Sequence, residues 1–465
     1  MAQTHFKKLD EEGQALNDSL DHIFRITLLT SLLAIIIWGV VSLLRWLVHH
    51  ALDLGFHQLG ELLHSGRSGI ALIGLLIVMG VGGVIRGILS KREDWAIAMG
   101  DGMDIALENY HLSQSNEEEL PPRYKKPAFD FAAKKFLTTF LTLGAGSSGG
   151  LESPVVSISE SISAGFSRVM QVRSDFELRT YQLAGISAAV STLLGAPFTA
   201  ALFATEIVYG DRIIYRNLAY SMWAGVIAYI LNNRFHGFAP LFLAPEHPPE
   251  YSLYEYGGAA LVGLAVSVPV TIGFAYAVSS ADRLIGRVES HWHAVLTSLT
   301  AALFAWSGWF FFKLEPHHIL GMGEETLTAI LSHDSEVLSW KVLGLALLGK
   351  VITTGLTMRG GGSAGLLVPS MYFGGVAGAL TAVSINSFSQ LALDPALFAV
   401  VGIASSLVSV IGVPLASIAL VLEVFGPAFG PPTIIACGVT YLITLRIKIY
   451  KKQYMSTTPE QDEVG

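Results

Sequence analysis

Long, unbroken apolar runs dominate the pattern of this chain. Ile26–Leu47, Ile70–Leu89, Ala259–Val278, Val295–Phe312 and Val342–Leu356 are each close to a full span in length. About 20 apolar residues in a helix cross the hydrocarbon core of a bilayer, so these runs predict membrane-spanning helices. Phe136–Leu143 and Leu415–Phe425 are shorter. They predict half-length segments, which a membrane tolerates only where protein or a watery cavity surrounds them. Polar stretches punctuate the pattern. The first 22 residues read as a short soluble segment, Ser113–Lys126 as a solvent connection, and 451–465 as a short tail.

Composition agrees with that reading. The chain is 52% hydrophobic and only 14% charged, with mean hydropathy +0.52, against about 25% charged in soluble domains. The fold class is therefore an all-α polytopic membrane protein. Net charge, −8, says little here, because topology follows basic residues. Basic clusters at Lys91–Arg92, Arg123–Lys126 and Arg446–Lys452, with Lys7 and Lys8, predict cytoplasmic termini; the expected location is the plasma (inner) membrane. The single cysteine, Cys437, excludes a disulfide framework and a thiolate metal site. His291, His293, His317 and His318 have no carboxylate or thiol at metal spacing, so no metal, cofactor or nucleic-acid partner is expected.

The chain also repeats itself. SGGLESP at 148–154 matches SAGLLVP at 363–369, and Gly195-Ala-Pro through Glu206 matches Gly412-Val-Pro through Glu423. Gly185-Ile186 and Gly402-Ile403 recur ten residues before the second landmark, so the offset stays between 215 and 217 throughout. The expected organisation is a segment 1–22, a first membrane repeat 23–235, a second 250–450, and the tail. Repeats with Gly/Pro-interrupted segments at matching places point to a transporter or channel with its site where those segments meet. The spacing leaves open whether the halves are parallel or inverted.

Ser153-Pro154 reads as an N-cap followed by proline in a first turn, and Val368-Pro369 as its weaker counterpart. Glycine-rich loops, GAGSSGG and RGGGSAG, precede them. Two helix N-termini facing each other would offer bare N–H donors to an anion without a full buried cation. Glu152 is then either a first-turn acid stabilising its own helix or a tethered anion competing for those donors. Its repeat partner is Leu367, so the scaffold does not need the acid, and an intramembrane carboxylate is a functional candidate by default.

At these residues the chain resembles the CLC family of chloride channels and chloride/proton antiporters, as a divergent prokaryotic-type member. Gly150-Leu-Glu-Ser-Pro154 resembles the family's Gly-x-Glu-Gly-Pro element, Gly365-Leu-Leu-Val-Pro369 its Gly-x-Phe-x-Pro element, and Lys448-Ile-Tyr-Lys-Lys-Gln453 its Ser-Ile-Tyr-x-x-Gln element. The resemblance implies inverted halves with broken, re-entrant helices and a homodimer in the lipid bilayer. It implies Glu152 as gating glutamate, and an anion held near Gly150, Leu151, Ser153, Gly365, Leu366, Leu367 and Tyr450. The family's Gly-Ser-Gly-Ile-Pro element is missing; Gly100-Asp-Gly-Met-Asp104 takes its place. Asp101, Gly102 and Met103 are thus candidates for that position, with Asp101 either in the path or capping its own helix. Ile207 stands where antiporters of the family carry an inner glutamate, leaving Glu206 as candidate proton relay beside its reading, with Glu423, as a structural acid. Arg359 is either an anion attractor or an interfacial arginine. The expected function is passage of chloride or a similar small anion through a glutamate-gated path, channel-like or weakly proton-coupled. The alternatives are an anion/proton antiporter and, more remotely, a cation transporter using Asp101 and Glu152. No nucleophile–base constellation suggests an enzyme.

Overall fold

The computed structural model describes residues 2–112, 128–172, 174–210, 213–237, 241–242, 245, 252–286, 288–389 and 391–444, with side chains from residue 20 onward. Tyr450, Ser113–Lys126 and the tail 451–465 lie outside the described residues. The described residues form helices: α1 (Ala2–His64), α2 (Ser68–Leu89), α3 (Glu93–Ala96), α4 (Met103–Leu112), α5 (Ala128–Leu143), α6 (Glu152–Val169), α7 (Asp175–Leu194), α8 (Pro197–Tyr209), α9 (Tyr215–His236), α10 (Leu253–Ala265) and α11 (Thr271–Ile285). The second part continues with α12 (Ser290–Phe312), α13 (Glu324–Leu331), α14 (Trp340–Arg359), α15 (Leu367–Phe388), α16 (Pro395–Ser406), α17 (Pro414–Leu420) and α18 (Gly430–Thr444). α1 passes without a break through the expected boundary at residues 22 and 23.

Among the described residues, six helical stretches are long and apolar enough to cross a membrane. Five contain the runs predicted from sequence, and the sixth is α15. Their outer faces expose large apolar side chains, among them Ile73 and Ile77 of α2 and Phe310–Phe312 of α12. Such faces suit lipid, which imposes no cost on an exposed Ile or Phe. The interior reverses the usual pattern. α6 buries Ser157, Ser159, Glu160, Ser161 and Ser163 along with its aliphatic side chains.

Reciprocal contacts relate the two halves. Glu206 accepts the N–H groups of Leu415 and Ala416 at 3.0 and 2.8 Å, while Glu423 accepts those of Phe198 and Thr199 at 3.0 and 2.8 Å. Thr139 bonds Ser363 and Thr354 bonds Ser148, each at 2.9 Å. Each pair becomes the other under the repeat offset, as a two-fold relation requires. Equivalent spans also run in opposite directions. Ser68 opens α2 and Ser290 opens α12, yet Trp306 late in α12 donates to the Ser68 carbonyl, and Gly87 late in α2 packs on the His291 carbonyl. The halves are inverted, a point that spacing alone left open.

Candidate functional site

The two glycine-rich loops meet inside the molecule. Gly150 N–H donates to the Gly365 carbonyl at 2.9 Å, and Gly365 N–H to the Gly150 carbonyl at 2.7 Å, a single antiparallel bridge between the halves. Glycine at both positions leaves room for this approach. A Cβ on Gly365 would stand 2.8 Å from the Ser153 nitrogen and hydroxyl, and one on Gly150 would stand 2.4 Å from Glu152 Oε2. Because each of these N–H groups donates to the other glycine's carbonyl, both are spent as anion donors. Gly150 and Gly365 set the separation of the loops, and any donors for a ligand come from the helix turns that follow.

Those turns begin two residues earlier than N-caps at Ser153 and Val368 would place them. α6 starts at Glu152 with Leu151 at its N-cap, and α15 starts at Leu367 with Leu366 at its N-cap; neither cap residue bonds through its side chain. Ser153 is thus a first-turn residue, not the cap expected from sequence. Proline remains compatible, since the first-turn nitrogens have no partner within their own helix. Leu151, Ser153, Leu366 and Leu367 are all buried around this junction.

Glu152 is 2% exposed. The N–H groups of Glu152 itself and of Val368, in the first turn of the opposing helix, act on its carboxylate. Its Oε2 is buried and makes no hydrogen bond. On one side the charges of Arg45 and Glu324 reach it, with His49 of α1 bonded to Glu324 at 3.2 Å.

The substitute for the missing first signature has a definite geometry. Asp101 Oδ1 accepts the Met103 N–H at 3.1 Å, which caps the start of α4. Gly100 and Gly102 both have positive φ, +76° and +91°, and Gly102 packs on Lys135 and Ser157. Fully buried Lys135 donates to the Gly100 carbonyl at 2.5 Å. Met103 is buried behind the turn.

This turn has a twin in the other half that the sequence motifs did not reveal. Gly321-Met-Gly323 also has positive φ at both glycines, +62° and +92°. Fully buried Lys350 donates to the Leu320 and Gly321 carbonyls at 3.0 and 2.6 Å. Lys135 and Lys350 are 215 residues apart, each followed by Thr-Thr after two residues. Thr138 donates to the Ala98 carbonyl and Thr353 to the Ile319 carbonyl. The signal Lys-x-x-Thr-Thr was present in the sequence at the same offset as the other landmarks.

The remaining sequence candidates separate clearly. Glu206, 2% exposed, caps α17, and Ile207 is fully buried beside it. Arg359 pairs with Asp282 at 3.2 Å with both side chains about half exposed. His318 bonds Thr326 at 2.9 Å. Among the described residues no cluster of His, Cys, Asp and Glu could hold a metal.

A family model described as voltage gated chloride channel matches residues 82–445. The chain is 22% identical over 311 residues to a chloride/fluoride channel protein of Pseudomonas syringae pv. tomato, covering 66% of this chain and 65% of that protein. It thus spans just under two thirds of that relative. It is 25% identical over 374 residues to chloride channel protein CLC-f of Arabidopsis thaliana, covering 75% of this chain and 44% of that one. A slow cyanobacterial Cl−/H+ antiporter superposes with TM-score 0.75 at 18% identity, over 90% of this chain and 94% of that one. A CLC-type fluoride/proton antiporter superposes with TM-score 0.71 at 19% identity, over 93% and 98%. At such identities the solved structures establish the fold.

Proposed function

Because the chain belongs to the voltage-gated chloride channel family, whose members move anions across membranes, we propose that it carries chloride or a similar small anion through a path gated by Glu152. The observation that carries this reading is the seat of the Glu152 carboxylate. It is buried between two helix starts from opposite halves, within the influence of the Val368 N–H. Helix starts favour negative charge, and a carboxylate tied to the chain occupies the place a free anion would take. Protonation removes that charge and frees the donors. The anion would then be held by Leu151, Ser153, Leu366 and Leu367 of the two first turns, with Tyr450 as a further hydroxyl donor. Asp101, turned to cap α4, is directed away from a role as a charged ligand, which counts against a cation path built from Asp101 and Glu152.

The sign of the pH dependence follows. Lowering pH protonates Glu152 and raises anion flux; raising pH returns the carboxylate and lowers it. Purified protein in liposomes should show this as the pH is lowered from neutral, and Glu152→Gln, a mimic of the protonated gate, should give flux that is high and flat with pH. An unchanged pH profile in Glu152→Gln removes Glu152 as the gate. Comparing chloride, fluoride, nitrate, bicarbonate and sodium gradients identifies the ion.

A proton route through α8 finds no acid at Ile207, and Glu206 is committed to α17. That favours uncoupled or weakly coupled flux unless another carboxylate serves. Two further readings accompany the proposal. The exposed apolar surfaces of α9 (Trp223, Ile230) and α18 (Ile434, Leu442) fit a second copy of this chain, a homodimer with one path per subunit. His22 and Arg25 near the start of α1 pair with Glu177 near the start of α7. This puts both on one membrane face, which we assign to the cytoplasm.

A further inference from the structure

We propose that Glu160 is the acid that exchanges protons with Glu152 from the membrane face reached by the end of α6; the proposal rests on Glu152 being the gate. Glu160 lies in the same helix, eight residues on, which is about 12 Å along the axis. It is fully buried. Asn109 Nδ2 of α4 donates to it at 3.0 Å, Gln182 Nε2 of α7 at 2.9 Å, and the neighbouring Ser161 hydroxyl at 3.3 Å. Its repeat counterpart, at the offset of 215, is Gly375. The scaffold is therefore built in the other half without this acid, as it is without Glu152.

The surroundings suit a group that changes protonation state. Asn109 Oδ1 and Gln182 Oε1 are both buried without a hydrogen-bond partner. An amide presents a donor and an acceptor on one rotatable plane. With Glu160 charged, the two amides donate to it. With Glu160 protonated, rotation of either amide offers an acceptor to its O–H. Toward the gate, Ser153, Ser157 and Glu160 share one face of α6 at helical spacing. The Ser157 hydroxyl is buried and unpartnered, and Ser157 packs against Gly102 at the entrance of α4. It lies on that face between the two acids, its hydroxyl bonded to neither. The ionisable groups on the helices packed against α6 include Asp104, Glu108, Tyr110 and His111 of α4, Asp130, Lys134 and Lys135 of α5, Glu177, Arg179 and Tyr181 of α7, Arg25, Arg45 and His49 of α1, and Tyr372 of α15, with Arg179 over the Tyr110 ring at 5.6 Å.

The step is a plain proton transfer. An O–H bond of protonated Glu160 breaks, the proton passes along the hydroxyl face, and an O–H bond forms on the Glu152 carboxylate. Glu160, left charged, takes its next proton from water on the α6-end face. This route supplies the acid that Ile207 lacks and makes the transporter proton-coupled.

The test uses the full chain in liposomes with a chloride gradient and an internal pH indicator. Wild type should drive protons uphill, and Glu160→Gln should lower the ratio of protons to chloride moved at least tenfold. Glu160→Asp, which keeps the carboxylate, should restore most of that ratio. An unchanged ratio in Glu160→Gln overturns the proposal, and so does a wild type that moves no protons uphill. Should Glu160→Gln fail to fold, wild type and Glu160→Asp still decide, because a wild type that pumps paired with an Asp variant that does not would also count against it. Glu152→Gln, run in parallel, keeps the two readings apart. A flat pH profile there with an unaltered Glu160→Gln ratio sinks the relay alone, whereas an unaltered Glu152→Gln profile sinks the gate.

Discussion

Gly150 and Glu152 are coupled by contact as well as by sequence. The space a Cβ would need at Gly150 is filled by Glu152 Oε2 at 2.4 Å. Gly150→Ala should therefore push the carboxylate out of its seat, raising flux at neutral pH and flattening its pH profile, in a liposome assay like that for Glu152→Gln. Gly365→Ala meets the Ser153 backbone and side chain instead, at 2.8 Å. Backbone yields less readily than a side-chain tip, so overpacking of about 1–3 kcal/mol is expected, read as a lowered unfolding temperature in detergent. A Gly365→Ala protein as stable as wild type would show that the loops can separate.

At the scale of elements, the paired helix caps bear on the two readings of Glu206. Each of Glu206 and Glu423 takes two N–H groups at the start of the helix from the other half. Removing a cap's acceptor costs about 0.5–2 kcal/mol. Glu206→Ala and Glu423→Ala should lower thermal stability by similar amounts, and Glu206→Ala should leave the proton-to-chloride ratio where it was. A selective loss of coupling in Glu206→Ala would return it to the proton path. The repeat landmarks that include these acids could be read from sequence. Their reciprocity could not, because each carboxylate binds a helix more than 200 residues away. The same holds for the buried lysines: Lys-x-x-Thr-Thr is short enough to recur by chance, and only the bonds to the Gly100 and Gly321 carbonyls show that both copies do one job.

For the whole molecule, inverted halves create a junction that neither half contains alone. The Gly150–Gly365 bridge, the seat of Glu152 and the α8–α17 contacts all lie across that junction. The exposed apolar faces of α9 and α18 lead to a prediction at the same scale. Protein solubilised in mild detergent should have a protein mass near twice 49.9 kDa by light scattering, and replacing Trp223 and Ile230 with polar residues should shift it toward a single chain. A wild type of one chain's mass would remove the dimer.

The sequence by itself determined the membrane class, five of the spans and the repeat, and singled out Glu152 as the candidate gate. These rest on local composition, on helical length and on letters that recur at a fixed offset. Tertiary structure decided which backbone donors remain for a ligand, since the Gly150 and Gly365 N–H groups are taken up by each other's carbonyls. It also placed the helix start at Glu152, turned Asp101 onto Met103, and surrounded Glu160 with Asn109 and Gln182. The reason is physical. A hydrogen bond in a dry interior is set by which groups are brought within about 3 Å, and for this site those groups come from separate helices and, at the junction, from separate halves of the chain.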